Sequence, residues 1–435
     1  MDLRIGFVCG EYFNYTNDEK EIKPTNIHGG FGFVTKVKAE YLAKDGYDVH
    51  VFVPRESFYD NANGNVEING VNLHTYKTDS LSSRPIRAIK GLMGLAHNKY
   101  FNAALREFRP DILQAEDTPP LDILRNTSME IPFVLVFQDP FDYYDINLLM
   151  DSEKDYLEIP ITGKVGYEMK DAEYHFPNKR IVKAIHKKNF VKPVRSFITK
   201  NRYLEVYAVS NFLAEKSKNL FFLPRMPDIL HNPVNVYDAT RKKYDNPTVC
   251  WVARWDPQKR PDMALLIAKQ LPEVNFIMIG TANRNSAHYE VVEEYLVKKF
   301  YDLKNLKILG FVTEQDKREI IGKSWALLST SIREGLPTVF EEALAEATPI
   351  VSFVDPDQYV SNFGVKAKSY TVKAFTDAIN SVIKDERFKE IGLRSVPFVK
   401  KNHETAIVMS QHISIYDKML SNNQSNAPLF AEMRK

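Results

Sequence analysis

Cysteine is scarce. The 435 residues hold two, Cys9 and Cys250. Both fall in apolar runs, so a disulfide framework is excluded and two buried, inert thiols are expected. Long apolar runs are missing too, since none reaches the roughly 18 residues of a membrane span. Neither sign of charge prevails: the formal net charge is +2, which gives no reason to invoke nucleic acid. No apolar leader stands at the start, because Met1-Asp2-Leu3-Arg4 leads straight into a strand; a cytoplasmic location is the expectation. No side chain in a recognisable setting stands out as a covalent nucleophile. What is present is ordinary for a globular protein, 44% hydrophobic and 26% charged. The length exceeds what one core serves, so two or three domains are expected.

The first half reads as alternating strand and helix. Arg4 to Cys9 is a strand. A polar stretch ends in His28-Gly29-Gly30-Phe31-Gly32, read as a glycine loop. Val34, Val37 and Tyr41 then recur at helical spacing, and Gly46 closes the helix. Val49 to Val53 is a strand stopped by Pro54. The glycine cluster is not a dinucleotide fingerprint, because Thr35 stands where the third glycine belongs and no acid closes the second strand. Asn69-Gly70 marks a turn between two strands within Asn65 to Tyr76. Ile112 to Ala115 and Phe133 to Phe137 are further strands, ending in Glu116-Asp117 and Gln138-Asp139. Ligands of open α/β sheets gather at such carboxyl ends.

The connection from Tyr143 to Tyr203 is longer than a βα unit needs. From Lys179 to Leu204 it lacks Asp and Glu but holds Lys183, Lys187, Lys188, Lys192, Arg195 and Arg202. Two readings stand. One is a solvated basic face; the other is a surface for an anionic membrane or a phosphorylated lipid acceptor. Val206 to Val209 returns to strand, with Ser210 as the next helix cap. A polar segment, Asp238 to Asn246, serves as the linker.

The second half repeats the rhythm. Thr248 to Ala253 is a strand, and Arg254 and Lys259 follow in its loop. A helix covers Asp262 to Gln270, Phe276 to Ile279 is a strand closed by Gly280, and Leu306 to Leu309 is another. Thr313 caps a helix. Ala326 to Ser329 is a short buried strand. Gly335 then permits a tight turn, Pro337 suits a first helical position, and a helix runs from about Thr338 to Ala347. Ile350 to Val354 is a strand, Asp355-Pro356-Asp357 a turn after it, and Thr405 to Leu420 a last helix. Glu334 therefore sits in a loop at a strand's carboxyl end and Glu342 in the opening turns of the next helix. Backbone N–H groups at a helix N-terminus suit an anion, and carboxylates suit sugar hydroxyls.

Glu334, seven intervening residues and Glu342, with Gly335-Leu336-Pro337 after the first acid, resemble the acidic motif of retaining glycosyltransferases of glycosyltransferase family 4. Val252-Ala253-Arg254-Trp255-Asp256-Pro257-Gln258-Lys259 resembles that family's phosphate-binding loop, with Ala253 where Gly is frequent. Asp228 to Asn235 resembles the end of its first domain. The resemblance runs from Arg4 to about Leu420. It implies an α/β GT-B fold, two Rossmann-like doubly wound domains facing a central cleft. The acceptor-side domain is then 1–238, the donor domain 239–403, and a helix at about 404–420 packs back on the first.

It also implies a retaining, metal-independent transfer of a sugar from a nucleotide-diphosphate sugar to a hydroxyl acceptor. Neither cofactor nor metal is required, because Arg254 and Lys259 answer the charge of the departing diphosphate. Glu334 contacts the transferred sugar and Glu342 the donor ribose. Gly335, Leu336 and Pro337 line sugar and diphosphate, Phe311 and Val312 border the base, and Gly30 faces the donor diphosphate. Glu116, Asp117, Gln138 and Asp139 lie on the acceptor and sugar side. Gln138 departs from the family, which has His there, so the position bonds a hydroxyl but does not titrate. Two other classes remain open: a nucleotide-sugar epimerase, which shares the fold but lacks the two-Glu pattern, and a non-catalytic sugar-nucleotide binding module.

Overall fold

The structure is a computed structural model that describes residues 3–9, 30–54, 65–76, 99–117, 131–139, 191–201, 203–237, 241–256, 258–282 and 287–424. His28, Gly29 and most of the basic stretch, including Lys183, Lys187, Lys188 and Arg202, lie outside them. The described chain divides into two compact units, one of 3–139, 191–233 and 406–424, the other of 234–405.

In the first unit the elements are β1 (Arg4–Val8), α1 (Gly30–Lys44), β2 (Asp48–Pro54), β3 (Asn65–Ile68), β4 (Val71–Tyr76), α2 (Lys99–Phe108), β5 (Ile112–Glu116), β6 (Phe133–Phe137), α3 (Lys192–Lys200), β7 (Leu204–Ala208), α4 (Asn211–Phe221) and β8 (Asp228–Ile229). Among the described residues the sheet order is β3-β4-β2-β1-β5-β6-β7-β8, parallel except for the β3–β4 hairpin. Asn69 and Gly70, with φ of 53° and 78°, make its turn, which needs two left-handed residues. Every residue of β5, β6 and β7 is buried, as parallel strands covered on both faces must be.

Two local expectations change here. Helix α1 begins at Gly30, ahead of Val34, so Gly30 and Gly32 sit in its first turn rather than in a loop. Pro54 is the last residue of β2, paired in register with Tyr76, rather than the stop before which the strand ends.

The second unit runs β9 (Thr248–Val252), α5 (Pro261–Gln270), β10 (Asn275–Ile279), α6 (Ala287–Lys299), β11 (Leu306–Gly310), α7 (Glu314–Lys323), β12 (Ala326–Ser329), α8 (Thr338–Ala345), β13 (Ile350–Ser352), α9 (Tyr359–Phe363), β14 (Gly364–Lys366), α10 (Val372–Ile383) and α11 (Arg387–Asn402). The final helix, α12 (Thr405–Gln424), belongs almost wholly to the first unit. The second sheet is parallel in the order β11-β10-β9-β12-β13-β14. Its core packs Val249, Trp251, Phe276, Met278, Leu328 and Phe375 with the apolar faces of the helices. Trp251 and Trp255 meet edge to face at 6.2 Å.

Strand order reverses at β9, whose neighbours are β10 on one side and β12 on the other. A doubly wound sheet opens a crevice at the carboxyl ends of the two strands flanking such a switch point. Here those ends carry the 253–260 and 330–337 loops. Gly280 lets β10 close in beside the first of them: its φ is 118°, and a Cβ there would stand 1.9 Å from the Ala253 carbonyl oxygen. Cys9 and Cys250 are buried free thiols, and burial pushes the Cys250 thiol up to about 11.

Candidate active site

The loop after β9 is shaped by Asp256. Its buried carboxylate accepts from the Lys259 backbone N–H at 3.0 Å and lies 3.3 Å from the Arg254 guanidinium. Arg260 takes a left-handed φ of 52° and forks onto Asp262 with two 2.8 Å bonds, starting α5. Thr330, just beyond β12, braces the same loop. Its hydroxyl accepts from the Trp251 indole N–H at 2.9 Å and lies 2.7 Å from the Lys259 carbonyl.

The loop after β12 is stitched to it. The Ile332 N–H donates to the Gln258 carbonyl at 3.0 Å, and the Gln258 amide donates to the Arg333 carbonyl at 3.1 Å. Between them the Lys259 ammonium donates to Glu334 Oε1. Their side chains are 18% and 9% exposed, so water screens the pair little. Pro337 is the N-cap of α8, one place before the first helical position expected for it. Leu336 and Pro337 are buried, and Phe311, just past β11, is exposed.

Glu342 lies one turn into α8 and is buried. Its Oε1 accepts from Lys317 Nζ at 3.0 Å, while Oε2 is buried without a partner. Burial drives the Glu342 carboxyl upward, and Lys317 opposes the rise. Burial alone would lower the Lys317 ammonium, but Glu342 and Glu314 outweigh it and hold it above its usual range. Lys317 escaped the sequence reading because it stands in Glu314-Gln315-Asp316-Lys317-Arg318, which reads as a solvated helix face.

The neighbouring Glu341 faces elsewhere. It stands 3.2 Å from His403 Nδ1, and the Tyr359 hydroxyl meets the other ring nitrogen at 2.5 Å. Asp355 is a turn former, accepting from the Val360 N–H at 2.8 Å. Among the described residues no group of three or more His, Cys, Asp and Glu is placed to hold a metal ion.

In the first unit, Glu116, Asp117, Gln138 and Asp139 meet at the ends of β5 and β6. Glu116 is buried and turned inward: Oε1 accepts from Lys38 at 2.7 Å and from Gln114 at 2.5 Å, and Oε2 from the Gln138 amide. The Gln138 carbonyl accepts from Asn232 at 3.0 Å. Asp117, at a φ of 68°, accepts from the backbone N–H groups of Gln138 and Asp139 at 3.3 and 3.2 Å. Lys38 was also missed, although a signal existed: it follows Val34 by one helical turn and precedes Leu42 by another, on the apolar stripe of α1.

Residues 237–393 match the family described as Glycosyl transferases group 1, a segment that lies within the second unit. The chain is 21% identical to the trehalose synthases of Thermococcus litoralis and Pyrococcus furiosus over 251 residues. That match takes in 53% of this chain and about 60% of the length of those relatives. Among solved structures, sucrose-phosphate synthase from Thermosynechococcus elongatus superposes with a TM-score of 0.69 at 12% identity, covering 97% of this chain and 100% of that one. Anabaena HepE in complex with UDP-glucose superposes with a TM-score of 0.63 at 13% identity, covering 97% and 100%. The chain thus has the GT-B fold, two Rossmann-like α/β domains. The Lys259–Glu334 and Lys317–Glu342 pairs lie within the residues that match glycosyl transferases group 1.

Proposed function

We propose that the chain is a retaining glycosyltransferase, of the family 4 type, that moves a sugar from a nucleotide-diphosphate sugar to a hydroxyl acceptor on a glycan, a lipid-linked sugar or a small molecule. One observation carries this: the cationic loop after β9 and the acidic loop after β12 are joined at a switch-point crevice by Lys259 and Glu334. Cations beside carboxylates suit a ligand that is anionic at one end and rich in hydroxyls at the other.

In this reading Arg254 and Lys259 take the diphosphate, whose charge grows as its bond to the anomeric carbon breaks; they stabilise the transition state more than the ground state. Glu334 holds hydroxyls of the sugar, and Glu342 those of the ribose. Gly335, Leu336 and Pro337 line the donor, Phe311 and Val312 border the base, and Gly30 serves the diphosphate from the first domain. The acceptor oxygen bonds to the anomeric carbon on the face that the phosphate leaves, and the acceptor proton passes to a phosphate oxygen. Asp117, Gln138 and Asp139 serve the acceptor side, with Glu116 behind Gln138. The functional domains are taken as 1–238 and 239–403. The protein acts in the cytoplasm, and Lys179 to Arg202 is either a solvated basic face or a contact with an anionic membrane.

The names of the relatives make UDP-glucose the first donor to try. The test is release of nucleoside diphosphate from UDP- and GDP-sugars with a pool of acceptors, with the anomeric configuration of product read by NMR. Retained configuration and activity surviving EDTA support the reading. Inverted configuration, or activity lost to EDTA and restored by magnesium, overturns the corresponding part. Conversion of the sugar without transfer makes the protein an epimerase, and binding without turnover makes it a binding module.

A further inference from the structure

Glu342 is held at one end only. Oε1 is taken by the Lys317 ammonium and Oε2 has no protein partner, although the side chain is 5% exposed. Lys317 is itself fixed from the other side, its Nζ lying 2.8 Å from Glu314 Oε2. Exposure falls along the line, from 47% at Glu314 through 17% at Lys317 to 5% at Glu342. The Lys317–Glu342 ion pair joins α7 to α8 through one carboxylate oxygen. The other oxygen is left as an acceptor in low dielectric, where an unmet polar group is costly unless something supplies a donor.

We propose that Lys317 is the positioning residue for Glu342: by occupying Oε1 it keeps the group a carboxylate and leaves Oε2 as a pure acceptor for a ligand hydroxyl. The chemical class it fits is a vicinal diol such as a ribose, and this identification rests on the donor reading given above. A carboxylate offers only lone pairs to hydroxyls, whereas a carboxylic acid would present a proton on one oxygen and lose half of that complementarity. Without a cation at hand, a buried acid takes up a proton. The raised proton affinity of Glu342, driven by burial and opposed first by Lys317, agrees with this balance.

The other charges around Glu342 do not replace Lys317. On α7, Glu314 opposes it by sign, and Arg318 is committed to Glu346 at 2.9 Å. On α8 itself, Glu341 faces His403 and Glu346 also meets Arg241 at 3.1 Å. From α11 the nearest polar partner of α8 is the neutral Ser395, bonded to the Leu344 carbonyl at 2.8 Å, and β13 brings no titratable group.

The experiment compares the parent with Lys317→Met, Lys317→Gln and Lys317→Arg, each checked for a cooperative melt. Infrared difference spectra at neutral pH read the carboxylic-acid carbonyl stretch, with Glu342→Gln added to assign it. The expected result is a new acid band in Lys317→Met and Lys317→Gln, absent from Lys317→Arg and from Lys317→Met/Glu342→Gln. UDP or GDP affinity should fall about tenfold or more in Lys317→Met at neutral pH and recover toward alkaline pH, as a hydrogen bond to a charged group would on being lost and regained. A folded Lys317→Met or Lys317→Gln without that band overturns the inference, as does a pH-independent loss of affinity. If the parent binds neither nucleotide, the donor reading falls, while the infrared band still decides what Lys317 does to Glu342.

Discussion

The Lys259 ammonium and the Glu334 carboxylate are each other's counter-ion, though they lie on loops that follow different strands, β9 and β12. A diphosphate arriving at Lys259 competes with Glu334, and a sugar hydroxyl arriving at Glu334 competes with Lys259. The two substitutions should therefore act in opposite directions on a sugar-free ligand. Lys259→Met is expected to weaken nucleoside diphosphate binding by roughly tenfold or more, since it removes a charge-assisted contact. Glu334→Gln is expected to leave that binding equal or stronger while lowering turnover of the nucleotide sugar. Calorimetry with UDP and GDP checks the first pair of outcomes and steady-state kinetics the second. Parental affinity in Lys259→Met would place the diphosphate elsewhere.

Ground-state and transition-state contacts should separate in the kinetics. Glu342 is assigned to ribose, far from the reacting carbon, so Glu342→Ala should raise the donor KM about 10- to 100-fold with little change in kcat. Arg254 lies beside Asp256 and is 35% exposed, leaving it accessible to a ligand. Arg254→Ala should depress kcat as well as affinity, because the charge it answers grows along the reaction. Donor saturation curves on folded variants decide. A parental kcat for Arg254→Ala, or a collapsed kcat for Glu342→Ala, would reverse the two assignments.

The scaffold of this site was legible because its parallel strands are short apolar runs and two of the helices open on a recognisable cap. Ser210 and Thr313 accept from the Leu213 and Asp316 N–H groups, as their residue types suggest. Arg254, Lys259, Glu334 and Glu342 were singled out by their places at strand ends together with their resemblance to the motifs of glycosyltransferase family 4. The partners were not. Lys259 meets Glu334, and Lys317 meets Glu342, across distances in sequence that no local pattern bridges. Lys317 also looked solvated, since neither its helix nor its neighbours advertise the buried acid it faces. Gly30 went to a loop by composition, yet a glycine in the first turn costs a helix little when Phe31, Val34 and Leu42 can anchor it.

Acid should loosen the first unit through one imidazole pair. His50 Nδ1 and His74 Nε2 are 2.7 Å apart, and His74 stacks on Phe108 at 3.7 Å. Burial, then the neighbouring His50, lowers the His74 imidazole to about 4. An unfolded histidine titrates near 6.5, so the folded state favours the neutral ring. Its contribution is complete above about pH 6.5 and is lost as pH falls from there toward 4. Urea midpoints followed over that range should fall more steeply in the parent than in His74→Phe, which keeps an aromatic stack and does not titrate. Equal slopes would mean that other groups carry the acid limb.

The Lys38–Glu116 pair should be the most sensitive point of the first unit, because both side chains are fully buried. Each oxygen of Glu116 is used, and the chain of bonds continues. Gln114 donates to Glu116, and its own carbonyl accepts from the Tyr416 hydroxyl at 2.5 Å and meets His412 at 3.1 Å, so α1, β5, β6 and α12 share one polar cluster. Burial pushes the Tyr416 phenol up and the His412 imidazole down, so both stay neutral and neither replaces a lost charge. Lys38→Met then strands a carboxylate with only amide donors, at a cost of about 3–5 kcal/mol. Glu116→Gln strands the ammonium instead and frees the Gln138 amide. The double variant Lys38→Met/Glu116→Gln removes both charges and should be less destabilised than the two singles together, the sign of a direct coupling. Thermal and urea unfolding of the four proteins measures the cycle. Additive losses would show that Lys38 and Glu116 do not depend on each other. A second readout follows from Gln138: once released by Glu116→Gln, it should raise the acceptor KM while donor affinity stays at the parental value. A change in donor affinity instead would move Gln138 off the acceptor side.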